Sequence, residues 1–462
     1  LLVAAAAPMG CAQLDPPAEV VLASATPEAF SRGGERPQME RWWLAFGDEG
    51  LTALIETALE ASPSIRAAWD RLAAADALAR RAGAARLPDV TLSADAARSV
   101  AVRGEPGGSV GLTLGASYEV DLWGRVAATV DSAIFDVEAS RADLHTAAVT
   151  LSAEIAAAWF ELVERKAQLA LIARQIGTSQ SQRELIELRF QIGEADAEDL
   201  LRQRQLVSAL RGGRYDILAR IEELENQLSV LAGRAPGTLA IEVPDRVGDP
   251  PPLPETGVPL AMIRARPDLV SALAAVRAVD RDLAAAIADK YPQVNITPSL
   301  STSGTSAETF LSGWLFSLAA GIVAPVFDAG SREAEVDRQR ALVSLAINEY
   351  ETAALTAVAE IETALARELR QRQKIANLRE QIALGRQILE GLSVRYTQGT
   401  ANYLDVLSAR DSLQDLERSL LIARRDLNLI HVELARSLAG GWVLDMPAPR
   451  VPVRTASGDT AS

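Results

Sequence analysis

The 19 residues TFLSGWLFSLAAGIVAPVF, Thr309–Phe327, carry no charge and admit two readings. Their length approaches that of a helix crossing a bilayer. Gly313, Gly321 and Pro325 weaken that helix. Phe310, Trp314, Phe316, Leu318 and Ile322 instead alternate with smaller residues, the pattern of a strand facing lipid. The decision comes from earlier in the chain, where VGLTLGASYEV, Val110–Val120, occupies the corresponding slot. That stretch is too short and polar to span as a helix. It places Val110, Leu112, Leu114, Ala116, Tyr118 and Val120 on one face, against Gly111, Thr113, Gly115, Ser117 and Glu119. Duplicated segments should share one architecture, so both are read as strands.

The duplication extends through the chain. SPSIRAAWDRLAAADALARRAGAARLPDV, Ser62–Val90, parallels RPDLVSALAAVRAVDRDLAAAIADKYPQV, Arg266–Val294, with Pro63 and Pro88 matching Pro267 and Pro292 at an offset of 204. LRFQIGEADAEDL, Leu188–Leu200, parallels VRYTQGTANYLDV, Val394–Val406, at an offset of 206. Each half has a second alternating segment entered through proline, LPDVTLSADAA (Leu87–Ala97) and YPQVNITPSLST (Tyr291–Thr302). A Gly/Pro-rich turn, Arg103–Ser109, separates the first pair, and Trp123, Tyr118, Tyr291 and Phe327 lie near strand ends, where interfacial aromatics belong. The expected organisation is a residual signal segment at 1–10, an N-terminal extended segment at 11–49 and repeats at 50–245 and 260–441. A Pro-rich crossover at 246–259 joins the repeats, and an irregular tail follows at 442–462.

Between strands and repeat ends the pattern is helical. From Val126 to Ile192 there is no proline, and a seam runs through Val130, Ile134, Val137, Leu144, Ala148, Leu151, Ile155, Ala158, Leu162, Leu169, Ile172 and Ile176. Steps of four and three give a coiled-coil period of 3.5. A continuous helix of this length would extend about 100 Å, with Gly177 and its neighbours a candidate interruption. The second half repeats the seam, from Val336 through Tyr350, Ile361 and Leu378 to Tyr396. Shorter partners are expected at about 200–231 and 406–438, after turns at Gly193 and Gly399. Asp121 and Asp328 are expected to cap the long helices as the strands hand over.

Four strands are too few to close. A lipid-exposed sheet must close, because unpaired edge groups have no partner in hydrocarbon, and the smallest such barrel has about eight strands. Several chains must contribute, and two, three or four copies all give an even number.

Composition sets further limits. With 61 acidic and 46 basic residues the net charge is −15, unfavourable for nucleic acid. One cysteine and two separated histidines, His145 and His431, offer no metal-ligand spacing or hydrolase triad. No paired acid and base or phosphate loop emerges, so neither an enzyme nor a cofactor is expected. Among non-enzymes, an exported helical scaffold or adaptor without a pore is the alternative to a channel. The N-terminal LLVAAAAPMG reads as the tail of a secretory signal, with Cys11 directly behind it. PMGC resembles the lipobox of bacterial lipoproteins, in which the cysteine is acylated.

YEVDLWGRV (Tyr118–Val126), its echo APVFDAGSR (Ala324–Arg332) and RYTQGTANYLDVLSARDSLQ (Arg395–Gln414) resemble the TolC-like outer-membrane efflux channels. The branch implied is the lipoprotein, NodT-type one that serves resistance-nodulation-division pumps. The resemblance implies an all-α coiled-coil barrel joined to a membrane β-barrel, with four strands per chain and a homotrimer closing twelve. It implies a lipid-anchored protein of the bacterial outer membrane reaching into the periplasm. Its partners would be outer-membrane lipid, a periplasmic adaptor and an inner-membrane pump, and the channel itself would perform no chemistry. Asp405 matches an acidic constriction position; Ser408 stands one turn later where the family's acidic type has a second acid. Arg410 and Asp411 are candidates for salt bridges holding a closed gate, and the tips at Arg189, Gly193, Arg395 and Gly399 are candidate adaptor contacts. Transported substrates are not encoded legibly.

Overall fold

The computed structural model describes residues 28–34, 41–99, 107–257 and 259–438. The signal segment, Cys11, residues 103–106 of the first turn and the 442–462 tail lie outside the described residues. The chain forms two compact units, each assembled from separated stretches. The first contains Asp70–Asp143 and Asp268–Ala353; the second contains Thr26–Trp69, Leu144–Pro267 and the chain from Ala354.

The first unit carries the sheet. Helices α2 (Pro63–Ala84) and α6 (Pro267–Ala288) each have 22 residues and begin on proline, whose missing N–H costs nothing in a first turn. Both stop short of the next proline, which disfavours helical backbone in the residue before it. Strands β1 (Asp89–Ser99), β2 (Gly107–Val120), β3 (Gln293–Gly304) and β4 (Leu315–Val323) follow in two pairs. They form one antiparallel sheet in the order β1-β2-β3-β4. Its register aligns Leu92, Leu114, Leu300 and Phe316 in one row across all four strands. The neighbouring row is Thr91, Gly115, Ser299 and Ser317. Alternation therefore yields one apolar face and one face of small and hydroxyl residues. The apolar row is open, with Leu92 68% and Phe316 67% exposed.

The fourth strand corrects the sequence expectation. It begins at Leu315 rather than Thr309, because Ala307–Ser312 forms a short helix, α7. Ser306 and Thr309 cap that helix reciprocally, satisfying amides that would otherwise start the strand. Phe310 thus belongs to α7, while Phe316, Leu318 and Ile322 stay on the strand's apolar side. The membrane-helix reading of this segment is overturned by the pairing of Leu315–Val323 with β3.

At the sheet's base, the Trp123 indole N–H donates to the Pro292 carbonyl at 2.7 Å, and its ring stacks on Tyr291 at 4.9 Å. Asp121 accepts from the Ala127 amide at 2.8 Å. Asp328 accepts from the Gly330 and Arg332 amides at 3.0 and 3.2 Å. These bonds satisfy amides at the starts of α3 (Arg125–Gln191) and α8 (Ser331–Thr397), each of 67 residues. The Arg332 amide is the main cause holding the Asp328 carboxyl below its usual range.

The second unit is helical. It includes α1 (Glu49–Ala61), α4 (Ala197–Leu231), α5 (Pro259–Ala265), α9 (Tyr403–Ser437) and the later parts of α3 and α8. The α4 and α9 helices have 35 residues each, at the repeat offset. Leu51, Ile55, Ile155, Leu162, Leu224 and Leu228 are fully buried here. The stretch expected to be extended up to residue 49 instead coils at Trp42–Phe46 into a 3-10 turn before α1. Aromatic packing explains it: Trp42 meets Trp43 edge to face at 5.9 Å, and Phe46 lies 5.0 Å from Phe160. Gly177 does not interrupt α3. One helical glycine costs only about 1 kcal/mol, and burial resumes at Ser179 and Ile186. The buried face passes through Gln175 and Ser179 rather than Ile176, while Ile134 is exposed within the single chain.

Glu164 is fully buried, bonded to Gln168 and 3.4 Å from Arg165. Burial pushes its carboxyl up, and Arg165 and Arg425 only partly oppose this. A raised native value means the ionised form costs stability above that value, while the cost vanishes below the unfolded value of about 4.3. Glu164→Gln is therefore expected to raise the urea midpoint at pH 8, with the gain fading as the pH falls toward about 4.

Candidate functional site

The two helix-turn-helix tips, at the ends of α3/α4 and α8/α9, meet within the second unit. Each long helix ends through the same backbone chemistry. Gly193 has φ +80° and Gly399 has φ +74°. The Gly193 amide donates to Phe190 O at 3.0 Å and the Glu194 amide to Arg189 O at 2.8 Å. At the second tip, Gly399 donates to Tyr396 O at 3.0 Å and Thr400 to Arg395 O at 2.9 Å. This paired closure requires a left-handed residue, which glycine supplies without a Cβ penalty. Gly399→Ala is expected to cost about 1–2 kcal/mol from backbone alone, since nothing lies within 4 Å of the added Cβ. Chemical denaturation of the purified protein measures it.

Packing joins the tips. Ile186, Leu200, Tyr403 and Val406 form a buried cluster covered by Ala195, Leu389, Leu392, Tyr396 and Leu407. The Arg189 guanidinium sits 5.0 Å over the Tyr396 ring and 3.7 Å from Glu194. Arg189 therefore links the first tip to the second as a cation over an aromatic face. Arg395 stays local, donating to Thr400 O at 3.4 Å.

The gate candidates divide. Asn402 caps α9, accepting from Leu404 at 3.0 Å, so capping does not fall to Asp405. Asp405 and Ser408 lie one turn apart and are both exposed. Arg410 is buried instead, and desolvation lowers its pKa. Among the described residues neither Arg410 nor Asp411 forms a salt bridge within one chain. Partial desolvation, then Asp415, pushes the Asp411 carboxyl up. Asp199 is also pushed up, by burial first and then Asp196.

Two residues at the tips were not singled out by the sequence. Gln203 and Tyr403 are buried, and the Tyr403 hydroxyl donates to Gln203 Oε1. Their separation of 200 residues leaves no local pattern.

Comparison with known proteins fits this architecture. The family model described as "Outer membrane efflux protein" matches residues 54–234 and 260–440. The pyoverdine export outer membrane protein OpmQ of Pseudomonas putida is 30% identical over 426 residues, covering 88% of this chain and 89% of that protein. Nodulation protein T of Rhizobium leguminosarum bv. trifolii is 24% identical over 440 residues, covering 90% and 92%. The solved outer-membrane channel OprN superposes with a TM-score of 0.85 at 26% identity, covering 93% of this chain and 99% of that one. Proteins of this kind are non-enzymatic conduits that span from the outer membrane into the periplasm as part of tripartite efflux systems with an adaptor and a transporter. With the family model matched across both halves of a duplicated chain that pairs four strands with four long helices, this protein belongs to the outer membrane efflux protein family, the TolC-like channels.

Proposed function

We propose that three copies close a twelve-stranded barrel and conduct small molecules passively from an inner-membrane pump to the exterior. One observation carries this reading. The four-stranded sheet exposes an apolar face and ends on two edges, β1 and β4, that pair with no further strand among the described residues. In hydrocarbon both edges must pair, and identical copies can join β4 of one to β1 of the next around a ring. Family resemblance selects three among the even-numbered closures. The small polar face then lines the lumen and the apolar face meets lipid.

At the periplasmic end, Asp405 from each copy forms a ring of like charge about the axis, with Ser408 one turn away. Such a ring favours cations in the pore. The tips at Arg189, Gly193, Arg395 and Gly399 receive the adaptor. They are chemically unequal: Leu188 and Ile192 are exposed on the first, where the second has Val394 and Gln398 at the same repeat positions. Cys11 carries the acyl anchor of the NodT-type lipoprotein branch. Radiolabelled palmitate should enter the wild-type chain and not Cys11→Ser; equal labelling would remove the anchor from Cys11.

Selection of cargo belongs to the pump. The relative named for pyoverdine export and another named for a toluene efflux pump align over comparable lengths, as expected of a wide conduit that reads its cargo weakly. In planar bilayers, Asp405→Ala should lower the cation selectivity of the purified oligomer relative to wild type. Absence of conductance in both proteins would favour the pore-free scaffold.

A further inference from the structure

We propose that Gln203 and Tyr403 are positioning residues of the gate, forming a buried relay that holds the first turn of α9, and with it Asp405, against α3 and α4. The inference rests on the gate reading above.

The geometry is specific. Ser179 and Gln203 are fully buried and Tyr403 is 2% exposed. Gln203 Nε2 donates to the Ser179 carbonyl of α3 at 2.6 Å, while its Oε1 accepts from the Tyr403 hydroxyl. Flipping the amide would set its oxygen against the Ser179 carbonyl, so the two contacts fix its orientation together. One side chain on α4 thus fastens α3 to α9, and its partner residue lies two positions before Asp405.

The surroundings keep the relay intact. Tyr403 lies 5.3 Å from Tyr396, itself beneath Arg189. Burial pushes the Tyr403 hydroxyl up to about 12 against the pull of Arg410, so it remains a donor throughout the physiological range. The relay also breaks the symmetry of the duplication. At the 206-residue offset, Gln203 corresponds to Ala409 and Tyr403 to Ala197, neither of which can form the bond. The relay therefore has no counterpart at the matching repeat positions, and it lies beside the candidate constriction on α9.

A buried acceptor stripped of its donor is costly until water reaches it. Tyr403→Phe leaves Gln203 Oε1 in that condition in the closed tip, and opening hydrates it. Tyr403→Phe and Gln203→Met should each raise the open-state occupancy about tenfold, read as single-channel conductance events of detergent-purified oligomer in planar bilayers. The double variant should open less than the product of the singles, because no unpaired amide remains. Asp405→Ala, read by its cation selectivity, serves as the reference for the gate position, and oligomer size is measured for every variant. If Tyr403→Phe fails to assemble, Gln203→Met decides. Wild-type opening of the assembled variants beside an Asp405→Ala channel of reduced cation selectivity would overturn the relay and leave the gate. An Asp405→Ala channel with wild-type cation selectivity would overturn both.

Discussion

Arginine at Leu318 should all but abolish membrane assembly, whereas arginine at Thr113 should leave it largely intact. Leu318 lies opposite Pro298 on the apolar face and is 67% exposed in the chain. Thr113 shares the opposite face with Ser93 and Ser301. An arginine facing lipid near the bilayer midplane costs about 2–4 kcal/mol, and every copy in a ring bears it. A lumen-facing arginine stays in water. The fraction of chain recovered as oligomer from the outer membrane reads the contrast. Equal recovery would mean that the apolar face does not meet lipid.

The second large effect concerns the helical unit. Trp159→Ala should destabilise it by about 3–5 kcal/mol, the range for removing a large buried aromatic. Trp159 is 2% exposed, and its indole N–H donates to Asp48 Oδ2 at 2.8 Å. The other oxygen of Asp48 caps α1 by accepting from Leu51 at 3.0 Å. A Cβ on Gly50 would stand 2.7 Å from the Trp159 ring, which shows how closely the indole lies against the start of α1. Losing Trp159 therefore empties a core position and leaves half of a capping carboxylate unpaired. Trp159→Phe retains most of the apolar volume and should cost less. Urea denaturation of the purified variants separates the two.

The sequence made β1 and β3 legible because a proline follows each preceding helix and period-two alternation comes directly after it. It made the tips legible because Gly193 and Gly399 sit at matching repeat positions where only a left-handed residue closes the helix. The start of β4 was hidden: Thr309–Ser312 alternates like a strand, but Ser306 and Thr309 supply caps that commit it to a helical turn. Gly177 looked like a break because local propensity ignores the tertiary contacts around it. Trp159 and Asp48 are 111 residues apart, and the Gln203–Tyr403 bond spans 200. Pairings of that kind exist only once four helices have packed, and one chain's heptads state the seam without its cross-links.

Counting the chains in the detergent-extracted particle by native mass spectrometry, with cryo-electron microscopy of the same preparation, tests the central claim most directly. The account predicts three chains and an uninterrupted ring of twelve strands, with β4 of each copy hydrogen-bonded to β1 of the next. A stable single chain whose β1 and β4 edges lie unpaired in the membrane would contradict it.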